Sequence, residues 1–240
     1  MIPKLKTFRN IGFALFIAFT FNACLDDSEP DFEMVGDVYV IKKIVDNEIK
    51  YAPAYFAYGN VGMSSASVAL PDGGGSLQLN GVSKSVTYYK EPTESDFSST
   101  YPAEGTYVFN ATSYKDVEYE SSDILESDDL EIPQIDSVGF TAGDQALYIG
   151  WDEVSGAEGY FIKLLDSNGV TIFNSYSIAS GETDYIIIPG ASGQWDDSPE
   201  TNEVYTILLH TYTFDADANQ TNNAYNIQDV SIGESEVTWQ

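Results

Sequence analysis

The chain has 240 residues, of which 43% are hydrophobic and 14% aromatic, which is enough for one large or two ordinary packed domains. Its formal net charge of −28 argues against a basic patch of the kind that binds phosphates, so we expect no nucleic-acid partner. Tyr and Phe are abundant, and aromatic side chains suit pleated sheets, so the composition favours an all-β fold.

The N-terminus has the pattern of an export signal. Three basic residues precede the apolar stretch 11–21, which is typical of a signal peptide and short for a bilayer span. Ala23 then precedes Cys24, the one cysteine of the chain, which cannot form an internal disulfide. This arrangement resembles a bacterial lipobox, which implies removal of residues 1–23 and acylation of Cys24. The alternative is an ordinary secretory signal or a buried N-terminal helix with an incidental cysteine.

An acidic run follows the cysteine, from Leu25 to Asp31. It resembles the export signals of Bacteroidota lipoproteins that are moved to the outer face of the outer membrane. The resemblance implies an acidic tether over residues 24–35 and a lipid-anchored protein of the bacterial outer membrane, at the cell surface. The alternative is a plain solvated tether on the periplasmic face.

Short alternating apolar runs with turn residues between them fill residues 36–113. They predict an N-terminal β-sandwich or barrel that begins with a hairpin turning at Asp46–Glu48. Residues 114–131 contain eight carboxylates with few apolar neighbours, which predicts an extended acidic linker. A metal site in this run is the alternative, but no glycine-turned ligand loop is present.

The third segment, residues 132–240, has about seven strand patterns at the spacing of an immunoglobulin-like sandwich. Trp151, Tyr160, Tyr185 and Tyr205 carry a resemblance to the fibronectin type III family. The resemblance implies that Trp151 and Tyr160 anchor two sheets, and that Tyr205 begins the strand with a tyrosine corner. The expected fold is thus all-β, with two small β-sandwich domains in tandem, the second immunoglobulin or fibronectin type III-like.

Catalytic residues are hard to find in this sequence. His210 is the one histidine, and it lies in an alternating strand, where a structural role is the simpler interpretation. No two of the 38 acidic residues are singled out as a pair for glycoside hydrolysis. We therefore expect a protein that is not an enzyme.

A tryptophan in a polar, glycine-flanked loop is the candidate ligand site. Trp195 could stack on a sugar ring while Gln194, Asp196 and Asp197 bond its hydroxyl groups. In the alternative interpretation the indole folds back and closes one end of the sandwich.

A second loop has oxygen ligands at alternate positions. Asp215, Asp217 and Asn219 resemble the start of an EF-hand loop, but the turn glycine and the bidentate glutamate are missing. Weak calcium binding competes here with an Asx-rich loop whose side chains bond their own backbone. No other cofactor is expected.

The predicted fold and the predicted cellular location resemble those of accessory lipoproteins from polysaccharide-uptake systems. This resemblance implies a non-catalytic binding or scaffold protein, with a glycan or an outer-membrane transporter as partner. The alternative is a secreted-type hydrolase that acts on polysaccharide through an unidentified carboxylate pair.

Overall fold

The structure is a computed structural model and describes residues 30–127, 130–141, 146–216 and 226–240. Within these ranges the chain forms sixteen β-strands and two single turns of 3₁₀ helix, Pro71–Gly73 and Glu94–Asp96. The expected all-β class is confirmed. In this described part, no helix has the length and hydropathy needed to cross a membrane.

The largest sheet runs through both halves of the chain. Its nine strands are β1 (Met34–Val45), β2 (Glu48–Gly59), β5 (Thr87–Lys90), β10 (Gly159–Leu165), β11 (Thr171–Asn174), β12 (Ile178–Ala179), β14 (Gln194–Trp195), β15 (Val204–Phe214) and β16 (Ile227–Thr238). Eight of them lie in the order β14-β11-β10-β15-β16-β1-β2-β5, and β12 pairs with β10. The β1–β2 hairpin turns at Asp46 and Asn47, which both have positive φ, as tight hairpin turns require.

A four-stranded sheet covers the N-terminal half of the large sheet. Its strands, in the order β4-β3-β6-β7, are β3 (Met63–Ala69), β4 (Ser76–Gln78), β6 (Gly105–Ser113) and β7 (Glu118–Leu125). Val38, Val40 and Tyr55 of the large sheet pack in one core with Val68 and Phe109 of the smaller sheet. This is the first sandwich.

A three-stranded sheet covers the C-terminal half and forms the second sandwich. Its order is β13-β9-β8, with β8 (Ile135–Phe140), β9 (Leu147–Trp151) and β13 (Asp184–Ile187). The second core contains the residues that carry the fibronectin type III resemblance. Trp151 and Tyr160 lie 5.4 Å apart between ring centroids. The Tyr205 hydroxyl accepts a 2.8 Å hydrogen bond from the N–H of Glu200, the backward bond of a tyrosine corner.

The two sandwiches are joined through the large sheet. The last strand, β16, pairs in parallel with the first strand, β1, from Val40↔Asp229 to Lys43↔Ile232. The tandem sandwiches are therefore built on one continuous sheet.

Two sequence-based boundaries need correction. The linker prediction is wrong for Glu118–Leu125, which is strand β7 and pairs with β6 along its whole length. Because side chains alternate along a strand, Glu118 faces solvent while Asp123 is buried, so the acidic run is compatible with a sheet. The tether also ends before residue 35, because Phe32 and Met34 are buried in the first core.

Candidate functional site: the aromatic face of the large sheet

The sequence-predicted ligand residues lie at one edge of the large sheet. The Trp195 indole packs on Phe173, with ring centroids 4.7 Å apart, and on Trp239 at 6.4 Å. Its Nε1 atom is buried without a hydrogen-bond partner. Gln194, Asp196 and Asp197 are exposed. The indole thus lies against the second core, as in the alternative interpretation, and its sugar-binding role stays a prediction.

Of the other predicted site residues, only Asp215 lies within the described part of the chain. Cys24, Asp217 and Asn219 lie outside the described residues. Asp215 follows β15 and forms a side-chain hydrogen bond with Asp123. Within the described ranges, no group of three or more His, Cys, Asp or Glu residues could hold a metal ion.

A feature that the sequence did not single out is the side of the large sheet that faces away from both cores. Along β1 and β2, every second side chain enters the first core, and the side chains between them stand on the opposite side of the sheet. Phe56 of β2 is central there. Its ring is nearly parallel to those of Tyr39, Tyr58 and Tyr89, at centroid distances of 5.7, 5.8 and 5.7 Å.

The same side of the sheet continues into the C-terminal half. The ring of Phe161 on β10 stacks on His210 of β15 at 4.1 Å. Tyr212 and Phe214 follow along β15, with centroids 5.3 Å apart. Lys163 lies with its Nζ 5.6 Å from the Phe161 ring centroid. We call this surface the aromatic face; its residues are Tyr39, Phe56, Tyr58, Tyr89, Phe161, Lys163, His210, Tyr212 and Phe214.

The aromatic face is concave. Lys163 on β10 and Glu91, just after β5, would be about 24 Å apart in a flat sheet, since five strand spacings separate them. Glu91 nevertheless interacts electrostatically with Lys163. This interaction indicates that the sheet curls and brings Glu91 and Lys163 closer together than a flat sheet would. None of the ring residues of this face belongs to either hydrophobic core.

The phenols of Tyr39 and Tyr58 and the imidazole of His210 are uncharged on the aromatic face near neutral pH. Burial raises the pKa of Tyr39 and of Tyr58, with a further contribution from Asp37, so both phenols stay neutral. Burial, and then the positive charge of Lys163, lowers the pKa of His210 well below its usual value. Burial also lowers the pKa of Lys163, and Glu91 opposes that shift. The surface combines apolar rings with neutral hydroxyl groups, a composition suited to an uncharged, hydroxylated ligand.

Three aspartates lie where the aromatic face meets β7. We call Asp37, Asp123 and Asp215 the acidic corner. Burial raises the pKa of Asp37 well above its usual value, and the charges of Asp123 and Asp215 raise it further. Burial also raises the pKa of Asp123, although its bond from the Val38 N–H, at 2.7 Å, partly offsets this.

A shallow, open depression lies at one end of β6 and β7. It has a volume of about 530 Å³, and Glu104 and Glu126 are among its lining residues. Both glutamates are exposed.

Comparisons with known proteins add little. No protein-family model matches the chain, and no curated protein matches it. One solved structure that matches is described as a tetra-tandem repeat in the extending region of a large adhesion protein. It is 14% identical, with a TM-score of 0.27, over 86% of this chain and 50% of that one. The chain thus spans half the length of that structure. A TM-score this low does not establish a common fold or a common function.

A sequence signal for the aromatic face does exist. Tyr55 and Phe56 are neighbours in β2, so they must point to opposite sides of the sheet. A strand with apolar side chains at consecutive positions indicates a sheet with two apolar faces. The first core uses only one of them.

Proposed function

We propose that this protein is a non-catalytic binding protein, held at the bacterial cell surface by a lipid on Cys24, and that its aromatic face binds a neutral polysaccharide. The proposal of a lipid anchor is based on the N-terminal sequence, where a basic start, an apolar stretch and Ala23-Cys24 follow one another. The net charge of −28 disfavours polyanionic ligands.

The observation that carries the binding proposal is the group of rings around Phe56. Four aromatic side chains stand outside both cores on a concave sheet. Tyr58 and Tyr89 are only partly buried, so part of this aromatic area stays in contact with solvent. Sugar rings have apolar C–H faces that pack on aromatic rings, and phenol hydroxyls can bond their hydroxyl groups. Such a surface recognises a hydroxylated ring without needing charge.

Tyr89→Ala tests the proposal. Tyr89 lies on β5, the edge strand of the large sheet, so its removal leaves both cores intact. The matched control is Tyr176→Ala, because Tyr176 is 62% exposed and lies near Tyr185, which packs against the second core. Detergent-solubilised full-length protein is run in affinity gels with neutral polysaccharides, and any that retards it is titrated by calorimetry.

We expect Tyr89→Ala to lower the affinity at least about tenfold, as loss of an aromatic anchor does, and Tyr176→Ala to leave it unchanged. Equal affinities for both variants and the parent, or no retardation by any neutral polysaccharide, would remove the aromatic face as a glycan site.

In the alternative, a hydrolase, we would place the catalytic site at the depression lined by Glu104 and Glu126. The same polysaccharides are incubated with the protein and assayed for new reducing ends. Release that disappears in Glu104→Gln or Glu126→Gln would replace the binding proposal with a catalytic one.

A further inference from the structure

Three turns meet at one end of the first sandwich. The N–H of Tyr114, between β6 and β7, donates to the carbonyl of Gly62 at 2.9 Å, and the N–H of Lys84 donates to the carbonyl of Met63 at 2.8 Å. A Cβ atom at Gly62 would lie 2.6 Å from the carbonyl oxygen of Lys84, so these turns approach as closely as only a glycine allows. The segments that form this end are 60–63, 82–86 and 113–117.

Apolar side chains stand exposed on these turns. The exposed fractions are 79% for Val82, 50% for Val86, 49% for Val117 and 43% for Tyr114. Exposed apolar side chains are ordinary when they are scattered, but a contiguous group of them marks an interaction site. We call this surface the tip; its residues are Val82, Lys84, Val86, Tyr114, Lys115 and Val117.

Two lysines flank the ring of Tyr114 on the tip. The Nζ atom of Lys84 lies 5.9 Å from the ring centroid, and that of Lys115 lies 5.5 Å from it. Asp116 is exposed beside them, so the tip is apolar with mixed charge rather than basic. Tyrosine is favoured where one end of the ring is apolar and the other is wet, and lysine stems lie along apolar surface while their charges stay in water. The tip therefore has the composition of a surface that rests at the interface of a lipid bilayer.

The chain enters the described structure at the same end. The carbonyl of Asp31 accepts a 2.7 Å bond from the side-chain amide of Asn60, and Oδ1 of Asn60 accepts a 3.0 Å bond from the N–H of Glu33. Asn60 is two residues before Gly62, where the turns of the tip meet. Cys24 precedes Asp31 by seven residues, and an extended chain spans at most about 3.5 Å per residue, so the two lie within about 25 Å of each other. A lipid on Cys24 would thus keep the tip near the bilayer.

We propose that the tip lies on the bilayer that holds the lipid anchor, with the side chains of Val82, Val86 and Tyr114 in its interfacial layer. This inference rests on the proposed acylation of Cys24. Apolar burial supplies the attraction, since the chain as a whole has a formal net charge of −28. A weak second contact is sufficient, because the anchor already holds the tip at a high effective concentration at the membrane. The contact fixes which end of the protein faces the membrane.

The large sheet provides a control position far from the tip. Strand β1 begins beside the tip at Met34, and β16 runs parallel to β1. Leu165 is level with Glu236 of β16, seven residues beyond the first pair between β16 and β1, so the turn between β10 and β11 lies at the opposite end of the sheet. Val170 lies in this turn and is 57% exposed. It is thus an exposed valine in a turn, like Val82, but should stay in water.

A fluorescent label on a new cysteine tests the proposal, because acylation leaves no thiol on Cys24, the one cysteine of the chain. Val82→Cys and the control Val170→Cys are purified from membranes and labelled with a polarity-sensitive dye. Both proteins are reconstituted in phosphatidylcholine vesicles whose acyl chains carry a nitroxide quencher. Mass spectrometry of the same samples counts the acyl chains on each protein.

We expect the label at position 82 to be blue-shifted and quenched by the nitroxide, and the label at position 170 to be neither. Adding Tyr114→Asp to Val82→Cys should weaken the quenching, whereas adding Tyr176→Asp, at a residue that is 62% exposed, should not. Acylated protein with no quenching at position 82, with a blue shift but no quenching, as beneath a second protein copy, or with equal quenching at both positions would overturn the proposal and leave the anchor intact. Protein without acyl chains would overturn the anchor itself, and this inference with it.

Discussion

Val40 of β1 pairs in parallel with Asp229 of β16, so the first and last strands of the protein are neighbours in one sheet. Each sandwich has its own core, yet both cores lie against this sheet. Loss of packing in one sandwich should therefore destabilise the other, because the two share the backbone hydrogen bonds of this sheet.

Trp151→Ala tests this coupling. Trp151 is 3% exposed and packs against Tyr160, so its truncation should lower the free energy of unfolding by about 3–5 kcal/mol. We expect one urea transition in the parent and in the variant, with fluorescence and circular dichroism changing together. The control Ile186→Ala changes a side chain that is 42% exposed and should cost below about 0.5 kcal/mol. Two separate transitions would show that the sandwiches unfold independently.

The proposed lipid anchor predicts the cell fraction in which a variant without Cys24 is found. Without a thiol at residue 24 no acyl chain can be attached, so Cys24→Ala should move from the membrane fraction to the soluble fraction. Ser28→Ala, a few residues further along, should stay with membranes. Membrane retention of Cys24→Ala would contradict acylation at this residue.

His210 predicts a pH dependence of stability. Burial lowers its pKa in the folded protein, while the unfolded chain has an ordinary histidine pKa of about 6.5. Below about pH 6.5 the unfolded state therefore binds the extra proton, and stability falls by up to about 1.4 kcal/mol per pH unit. Above that pH, His210 has no such effect.

His210→Phe keeps a ring against Phe161 and removes the titrating group. Urea unfolding at about pH 7.5 and about pH 5.5 should show a smaller loss of stability for the variant than for the parent. Because the acidic corner is common to both proteins, its titration cancels in the comparison. Equal losses would show that His210 is protonated in the folded protein.

Several features of the fold follow from local sequence. The positive φ angles at Asp46 and Asn47 and the burial of Trp151 are consequences of turn chemistry and alternation. The pairing of β1 with β16 is a contact between distant segments, and no local pattern encodes it. Strand β7 was hidden because its acidic composition outweighed its alternation.

The candidate site was harder to predict for a different reason. Trp195 stood out because its sequence neighbours are polar, but its spatial neighbours are Phe173 and Trp239. The rings around Phe56 looked like ordinary core residues, because alternation alone does not tell which side of a sheet is covered.

The affinity and the melting temperature of two variants, Tyr89→Ala and Trp195→Ala, test the central claim most directly. The account predicts that Tyr89→Ala loses affinity for a neutral polysaccharide at an unchanged melting temperature, because its ring lies outside both cores. It predicts that Trp195→Ala melts at a lower temperature and keeps its affinity while folded, because the indole packs on Phe173. The reverse result, with affinity lost in Trp195→Ala and unchanged in Tyr89→Ala, would contradict the aromatic face as the binding surface.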